Sequence, residues 1–482
     1  PDCADKVNCI GIMSQSDDSF QATVSSVSFE MGDKAPAQDV PVPTDANLLN
    51  TYGKAFGKIG SCVTPNQLSN SNTLNVIKQQ YNSVTMENEM KPDAVLRSNT
   101  VSVAQAKQMG YVIPSNYTDS KVPTLNFSTI DSMMKAAHEN GLGIRYHVLV
   151  WHAQTPDWYF RSDYTSYGNY VSKAQMNARM EFYIKSVMYH VYNSQYASVV
   201  YCWDVVNEAM ADGDGRRMPW MKEEPSPYRQ SRHFKLCGDE FIAKAFEFAR
   251  EADPKALLFY NDYNAADPAK RDRIFNMVKK MKDAGVPIDG IGMQGHYNVY
   301  GPSIEDVDAA ITKYATIVDH IHFTELDVRI NQEMGGQLRF SRGEDKPVAS
   351  HLDALLESQY ANLFKLFRKH KNVIKNVTFW NLSDRDSWLG VNNYPLPFDK
   401  NYKPKKAYFA IKNFNPELDN AVIKEDFVPS VYYFMMKCRN IQYFYDKRYK
   451  IGTTPRFWYE IPRFFCTKCQ ILMIFNIVVE QF

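Results

Sequence analysis

Trp203-Asp204-Val205-Val206-Asn207-Glu208 decides how this chain is read. The apolar, β-prone run Val199-Val200-Tyr201-Cys202-Trp203 drives into it and stops at an Asn-Glu pair before a helix-like segment. A carboxylate therefore stands at the C-terminal end of a buried strand, where parallel α/β folds keep their chemistry. A second stretch of the same build, Ile321-His322-Phe323-Thr324-Glu325-Leu326-Asp327, delivers another glutamate from the end of an apolar strand. One strand-end Glu alone is more often a solvated or salt-bridged side chain. Two of them point to a paired-carboxylate enzyme.

Outward from these two stretches, short apolar runs alternate with amphipathic helical segments, the pattern of repeated βα units. The runs expected to be strands are 55–63, 83–86, 144–151, 199–207, 257–261, 290–294, 321–325 and 377–380, separated by helices such as 130–140, 175–193, 239–253, 269–285 and 352–370. Eight strands of this kind fit a closed (β/α)8 barrel, an α/β TIM barrel whose strand ends converge on one face. Two connections on that face are long: Ala94 to Leu125, with Asn116-Tyr117-Thr118, and Ala209 to Cys237, with Gly213, Gly215, Pro219, Pro225 and Pro227. Long loops there commonly shape substrate access.

The barrel is expected over residues 48–415, with short extensions outside it. Residues 1–33 alternate, in Gln21 to Glu30, like the last strand of a preceding β-rich module, and residues 34–47 form a Pro-rich linker. Residues 416–482 are crowded with Tyr, Phe, Lys and Arg without clear periodicity, and read as a poorly packed tail of unknown role.

Charge and composition narrow the function. The chain carries 55 basic and 54 acidic residues for a net charge of +1, which gives no reason to expect a nucleic-acid partner. No stretch of about 18 apolar residues occurs, so no membrane span is expected. Aromatic residues reach 13% of the chain, which suits stacking on sugar rings as well as core packing. Eight cysteines in 482 residues do not make a disulfide scaffold. Cys3 and Cys9 could pair in an exported protein, and Cys62 and Cys202 fall in barrel strands as buried thiols. Cys466 and Cys469 form a lone CxxC, too little for zinc, and no metal or cofactor is expected. The chain begins at Pro1 without an apolar leader, so any export signal is expected to have been removed or the sequence to be a fragment.

Hydrolysis of an acetal needs a proton donor at the leaving oxygen and a carboxylate near the developing oxocarbenium carbon. Glu208 and Glu325 can supply these, with Asn207 beside the first and His296 and Asp327 able to hold the second ionised. The remaining strand ends are consistent with this. They carry Glu87-Asn88-Glu89-Met90-Lys91, His147 with Trp151-His152-Ala153-Gln154, Asn261-Asp262-Tyr263-Asn264, Gln294-Gly295-His296, and Trp380 followed by Trp388. For a lone His or Trp core packing is the better reading; for this set at equivalent places, a carbohydrate cleft is.

Five blocks in order, Thr85 to Pro92, His147 to His152, Trp203 to Glu208, Gln294 to His296 and Thr324 to Asp327, resemble those of the glycoside hydrolase family 10 endo-β-1,4-xylanases. The resemblance implies a (β/α)8 barrel and retaining hydrolysis of xylan, with Glu208 as general acid/base and Glu325 as nucleophile. It implies that His296, Asp327 and Asn207 support them. Glu87, Asn88, Lys91, His147, Trp151, Gln154, Asn261, Gln294, Trp380 and Trp388 would then contact substrate. A secreted protein with a monomeric catalytic domain, acting on xylan or xylo-oligosaccharides, is the corresponding expectation. The region before residue 44 resembles the end of a carbohydrate-binding module. Two features depart from the family: Asn381-Leu382-Ser383 follows Trp380 where a glycine-led turn is more usual, and the 94–125 insertion is longer than in compact members.

The residues leave rivals open. A retaining β-1,4-glucanase, or an enzyme of mixed specificity, would need the same carboxylates and differ in steric closure around Lys91 and Trp380. A carbohydrate-binding barrel that no longer turns over would ordinarily lack one of the two glutamates, and both are present.

Overall fold

Burial on both faces makes the strands of this protein read as continuous apolar runs instead of alternating ones. In the computed structural model, which describes residues 47–212, 225–330 and 348–413 and the backbone of four short strands after residue 456, eight parallel strands close on themselves. They are β1 (Lys58–Val63), β2 (Ser83–Met86), β3 (Gly143–Tyr146), β4 (Val200–Asn207), β5 (Leu258–Asp262), β6 (Gly290–Met293), β7 (His320–Arg329) and β8 (Ile374–Phe379). Each pairs with the next, and β8 returns to β1 with Lys58 opposite Asn376 and Ser61 opposite Phe379. Every residue of β2, β5 and β6 is buried. The expected TIM barrel is the observed fold.

Helices surround it: α1 (Ser71–Gln80), α2 (Ser128–Glu139), α3 (Lys173–Tyr192), α4 (Glu240–Ala252), α5 (Pro268–Asp283), α6 (Ile304–Tyr314), α7 (Ser350–Lys369) and α8 (Lys406–Lys412). Their starts are set by local chemistry. Ser172 opens α3 with a capping box to Gln175, and Asp267 caps α5 ahead of Pro268, whose missing N–H costs nothing at that position. Their inner faces are apolar: α4 buries Phe241, Ile242, Ala245, Phe246, Phe248 and Ala249.

Three details differ from the expected elements. The third strand is broken: after Tyr146 the chain leaves the ladder, Leu149 donates to the Asp204 carbonyl at 3.0 Å, and Val150–Trp151 rejoins beside Val206 and Asn207. β7 does not stop at Glu325. Its register with β8 shifts between Phe323 and Leu326, and Asp327 to Arg329 find a new partner in His296–Asn298. The 94–125 insertion is a β-hairpin in which Leu96–Ser102 lies antiparallel to Lys121–Leu125. It is pinned to α3 by Asp119, which accepts from Arg179 Nε and Nη2 at 2.7 and 2.8 Å.

The lumen of the barrel is partly ionic. Arg145 on β3 is fully buried and pairs through two nitrogens with Asp204 on β4, one of them at 2.9 Å. Its guanidinium also reaches His322 on β7, across the barrel, at 2.7 Å. Buried charges of this kind persist only when paired and fully hydrogen-bonded. Cys62 and Cys202 are buried free thiols, as is Cys237.

The expected N-terminal β remnant, the linker up to residue 46, Cys3 and Cys9, Gly213, Gly215 and Pro219, and most of the tail lie outside the described residues. Within the tail, Phe457–Glu460 pairs antiparallel with Asn476–Val479, and Phe464–Cys466 with Ile471–Met473.

Candidate active site

Glu208 follows the last residue of β4 and takes a left-handed backbone, φ 56°. For a residue with a Cβ such a conformation costs on the order of 1–3 kcal/mol and persists only where its surroundings dictate it. They do so here: its N–H donates to the Asn261 carbonyl (2.9 Å), and its own carbonyl accepts from Arg229 Nε (2.8 Å). The carboxylate is held by three donors. Trp151 Nε1 reaches Oε2 at 2.9 Å, while Asn207 Nδ2 and Gln294 Nε2 reach Oε1 at 3.1 and 2.8 Å. His152 Nδ1 lies 3.7 Å from Oε2. Burial, helped by the Arg229 charge, pulls that imidazole down to about 4, so it faces Glu208 uncharged at neutral pH.

Glu325 is surrounded differently. Asn261 Nδ2 donates to its Oε1 at 2.9 Å, His296 Nε2 stands 3.1 Å from Oε2, and His147 Nε2 stands 4.0 Å from Oε1. Burial would push this carboxyl up. The His296 hydrogen bond, the two histidines and the Asn261 amide outweigh burial and hold the carboxyl down to about 2. His296 answers in kind: burial opposes its charge, but Asp327, 2.9 Å from Nδ1, and the Glu325 contact carry it up to about 10. Trp388 Nε1 donates to the same Asp327 oxygen at 2.9 Å, and His147 is oriented by Asp204, 3.0 Å from its Nδ1.

A single hydrogen-bonded net joins the two glutamates. Asn207 Oδ1 accepts from Asn261 Nδ2 (2.9 Å) and Gln294 Nε2 (3.3 Å), so the amides that touch Glu325 and Glu208 meet on one oxygen. Asn261 can lie across the sheet because β6 offers a glycine there. A Cβ on Gly292 would come within 2.2 Å of Asn261 Oδ1.

One wall is aromatic and basic. Lys91 Nζ sits 5.0 Å from the Trp151 ring and 5.9 Å from the Trp380 ring and donates to Asn88 Oδ1 at 3.1 Å. Gln154 reaches the same Asn88 oxygen at 3.3 Å. Trp380 packs edge-on against His147, with ring centroids 5.6 Å apart. Glu87 is half-buried beside Lys91 and Asn381, and desolvation raises its carboxyl above the ordinary range. Asn381 takes the place of the expected glycine at φ 90°, and its Oδ1 accepts the Trp388 N–H at 3.1 Å, so the tryptophan after the turn is tied to it. All fifteen residues singled out from sequence thus gather at one end of the barrel. His152, Tyr263 and Arg229 join them without having been assigned a role. The first two stood inside motifs already quoted, whereas Arg229 arrives from a loop 21 positions downstream with no local signal. Among the described residues no group of three or more His, Cys, Asp or Glu could hold a metal ion, and no helix is long and apolar enough to cross a membrane.

The His296–Glu325 pair sets a pH signature. His296, raised from an ordinary 6.5 to about 10, stabilises the fold fully below 6.5 and loses that contribution as pH climbs through about 10. Glu325, lowered from 4.5 to about 2, contributes fully above 4.5 and loses it as pH falls through about 2. His296→Asn is therefore expected to remove part of the stability lost between pH 6.5 and 10. Urea midpoints of both proteins at pH 5.5 and 10 measure this; an identical alkaline loss in the two would contradict it.

The Glycosyl hydrolase family 10 profile matches residues 47–414. An "Endo-1,4-beta-xylanase/feruloyl esterase" of Xylanibacter ruminicola is 52% identical over 386 residues, covering 80% of this chain and 49% of the relative. "Endo-1,4-beta-xylanase A" of Thermotoga neapolitana is 37% identical over 394 residues, covering 81% of this chain and 32% of its own length. The chain thus spans about half or a third of these two relatives. A solved "psychrophilic glycoside hydrolase family 10 endo-beta-1,4-xylanase" superposes with a TM-score of 0.64 at 46% identity, over 77% of this chain and 100% of that one. With its profile match, its relatives and its barrel in agreement, this chain belongs to glycosyl hydrolase family 10.

Proposed function

We propose that the barrel is an endo-1,4-β-xylanase that cleaves internal xylosidic bonds with retention, Glu325 acting as nucleophile and Glu208 as acid/base. The observation that carries this reading is the contrast between the two carboxylates. Glu325 is kept ionised by a cationic His296, whereas the side chains bonded to Glu208 are neutral donors. Such a contrast supports Glu325 as nucleophile and Glu208 as proton carrier. In the first step a Glu325 oxygen bonds to the anomeric carbon as the glycosidic C–O bond breaks and the Glu208 proton passes to the leaving oxygen. In the second, water gives a proton to Glu208 while its oxygen replaces Glu325 on that carbon. Two inversions leave the configuration unchanged, a route that in general requires the two carboxyl groups to lie about 5–5.5 Å apart.

The names borne by the relatives support xylan and internal cleavage. Lys91, 6% exposed and set against Trp151 and Trp380, supports xylose over glucose, because glucose brings a hydroxymethyl group that a closed wall must accommodate. Proton NMR of xylohexaose during hydrolysis tests the reading, with the β-anomer of the new reducing end expected before mutarotation. The α-anomer first, release of xylose from chain ends alone, or faster cleavage of cellohexaose would overturn it.

A further inference from the structure

The left-handed turn at Glu208 is held from three sides, and two of the holders, Tyr260 and Arg229, have no place in the reaction as written above. Tyr260, fully buried on β5, accepts the N–H groups of Ala209 and Met210 at 3.0 and 3.1 Å and donates to Asp262 at 2.5 Å. Asn261 supplies the carbonyl that receives the Glu208 N–H. Arg229 closes the turn from outside. Its Nε donates to the Glu208 carbonyl at 2.8 Å, and its Nη2 donates to Tyr263 Oη at 2.6 Å and Asp212 Oδ2 at 3.1 Å. Asp212 is itself fixed by Tyr263 and by Lys270 Nζ at 2.9 Å, and Lys270 is anchored on buried Asp262 at 2.8 Å. The guanidinium is therefore a planar fork pinned at both ends, a job that a lysine ammonium cannot copy.

Resting on the acid/base reading of Glu208, we infer that Arg229 is a positioning residue for it. The guanidinium holds the Glu208 carbonyl, and with it the turn, so that the carboxyl stands where the leaving oxygen departs. Such a role touches the proton transfer and not the attack by Glu325. Displacing a catalytic group by about 1 Å costs roughly 100-fold in rate. Arg229→Lys should therefore lower kcat on xylan by about 10- to 100-fold with little change in KM. A dinitrophenyl β-xylobioside needs no proton at its leaving oxygen, and its first-turnover burst should stay within about threefold of the parent.

Equal losses on both substrates, an unchanged kcat on xylan, or a rise confined to KM would overturn the inference. If Arg229→Lys does not accumulate as folded protein, Tyr260→Phe interrogates the same turn from its inner side, and the same pattern is required of it. Glu208→Ala serves as the reference. Should it too lose both substrates equally, the acid/base assignment has failed; should it spare the dinitrophenyl substrate while the Arg229 variant does not, only the positioning role has.

Discussion

Glu325→Ala should abolish turnover on every substrate, whatever the leaving group. If Glu325 forms the bond to the anomeric carbon, no quality of leaving group replaces it, and losing a covalent nucleophile is expected to cost on the order of 10⁵-fold or more in kcat. The environment sharpens this. His296, His147 and Asn261 all converge on the Glu325 carboxylate, and alanine leaves a cationic imidazole facing an empty space. That space is open to a small anion. Added azide should enter it and displace a dinitrophenyl leaving group in a single step from the nucleophile's side, giving the α-xylobiosyl azide by inversion. Steady-state assays on xylan and on the aryl glycoside, with NMR of the azide product, measure both halves. Activity within tenfold of the parent, or a β-azide, would remove Glu325 from the nucleophile's place.

The parts of this molecule that could be read in advance are those whose physical cause is local. Strands buried on both faces are apolar along most of their length and turn polar where the cleft begins. The runs ending at Met86, Asn207, Asn261 and Gln294 therefore announce both barrel and site. Helix ends shifted by a residue or two because Ser172 and Asp267 take capping positions that periodicity does not register. The break after Tyr146 was hidden because Val148 and Leu149 are as apolar outside the ladder as a strand would be within it, and both are buried. The hairpin arm was hidden for the opposite reason. Arg97, Ser98 and Asn99 are exposed and polar, and only the pairing of Leu96 and of Thr100 to Ser102 with the strand from Lys121 makes the stretch β. At the site, Asp204 is an acid inside an apolar strand, its partner Arg145 is 59 positions away, and nothing near either residue names the other. Long-range pairs of this sort, Arg229 with the Glu208 carbonyl among them, are fixed by the closure of the barrel and not by any window of sequence.

Glu208→Ala separates the two chemical steps, and its effect should depend on the substrate. On xylan the departing sugar is a poor leaving group that must be protonated as it leaves, so kcat should fall by about 10²- to 10⁴-fold. With a dinitrophenyl leaving group the first step should survive nearly intact, because the bond breaks without a proton. The second step should not, since in the proposed mechanism Glu208 is also the base that activates water. The glycosyl-enzyme on Glu325 would then accumulate, visible as a burst of dinitrophenolate stoichiometric with enzyme and as a mass increase on the intact protein. Azide, which needs no base, should discharge it to the β-azide, the product of two inversions and the stereochemical opposite of that expected from Glu325→Ala. The surrounding donors make alanine a clean test. Trp151, Asn207 and Gln294 are neutral, so removing the carboxylate strands no bound cation, and Asn207 keeps its bonds to Asn261 and Gln294. A fall of equal size on xylan and on the aryl glycoside, with neither burst nor azide product, would mean that Glu208 does not carry the proton in either step.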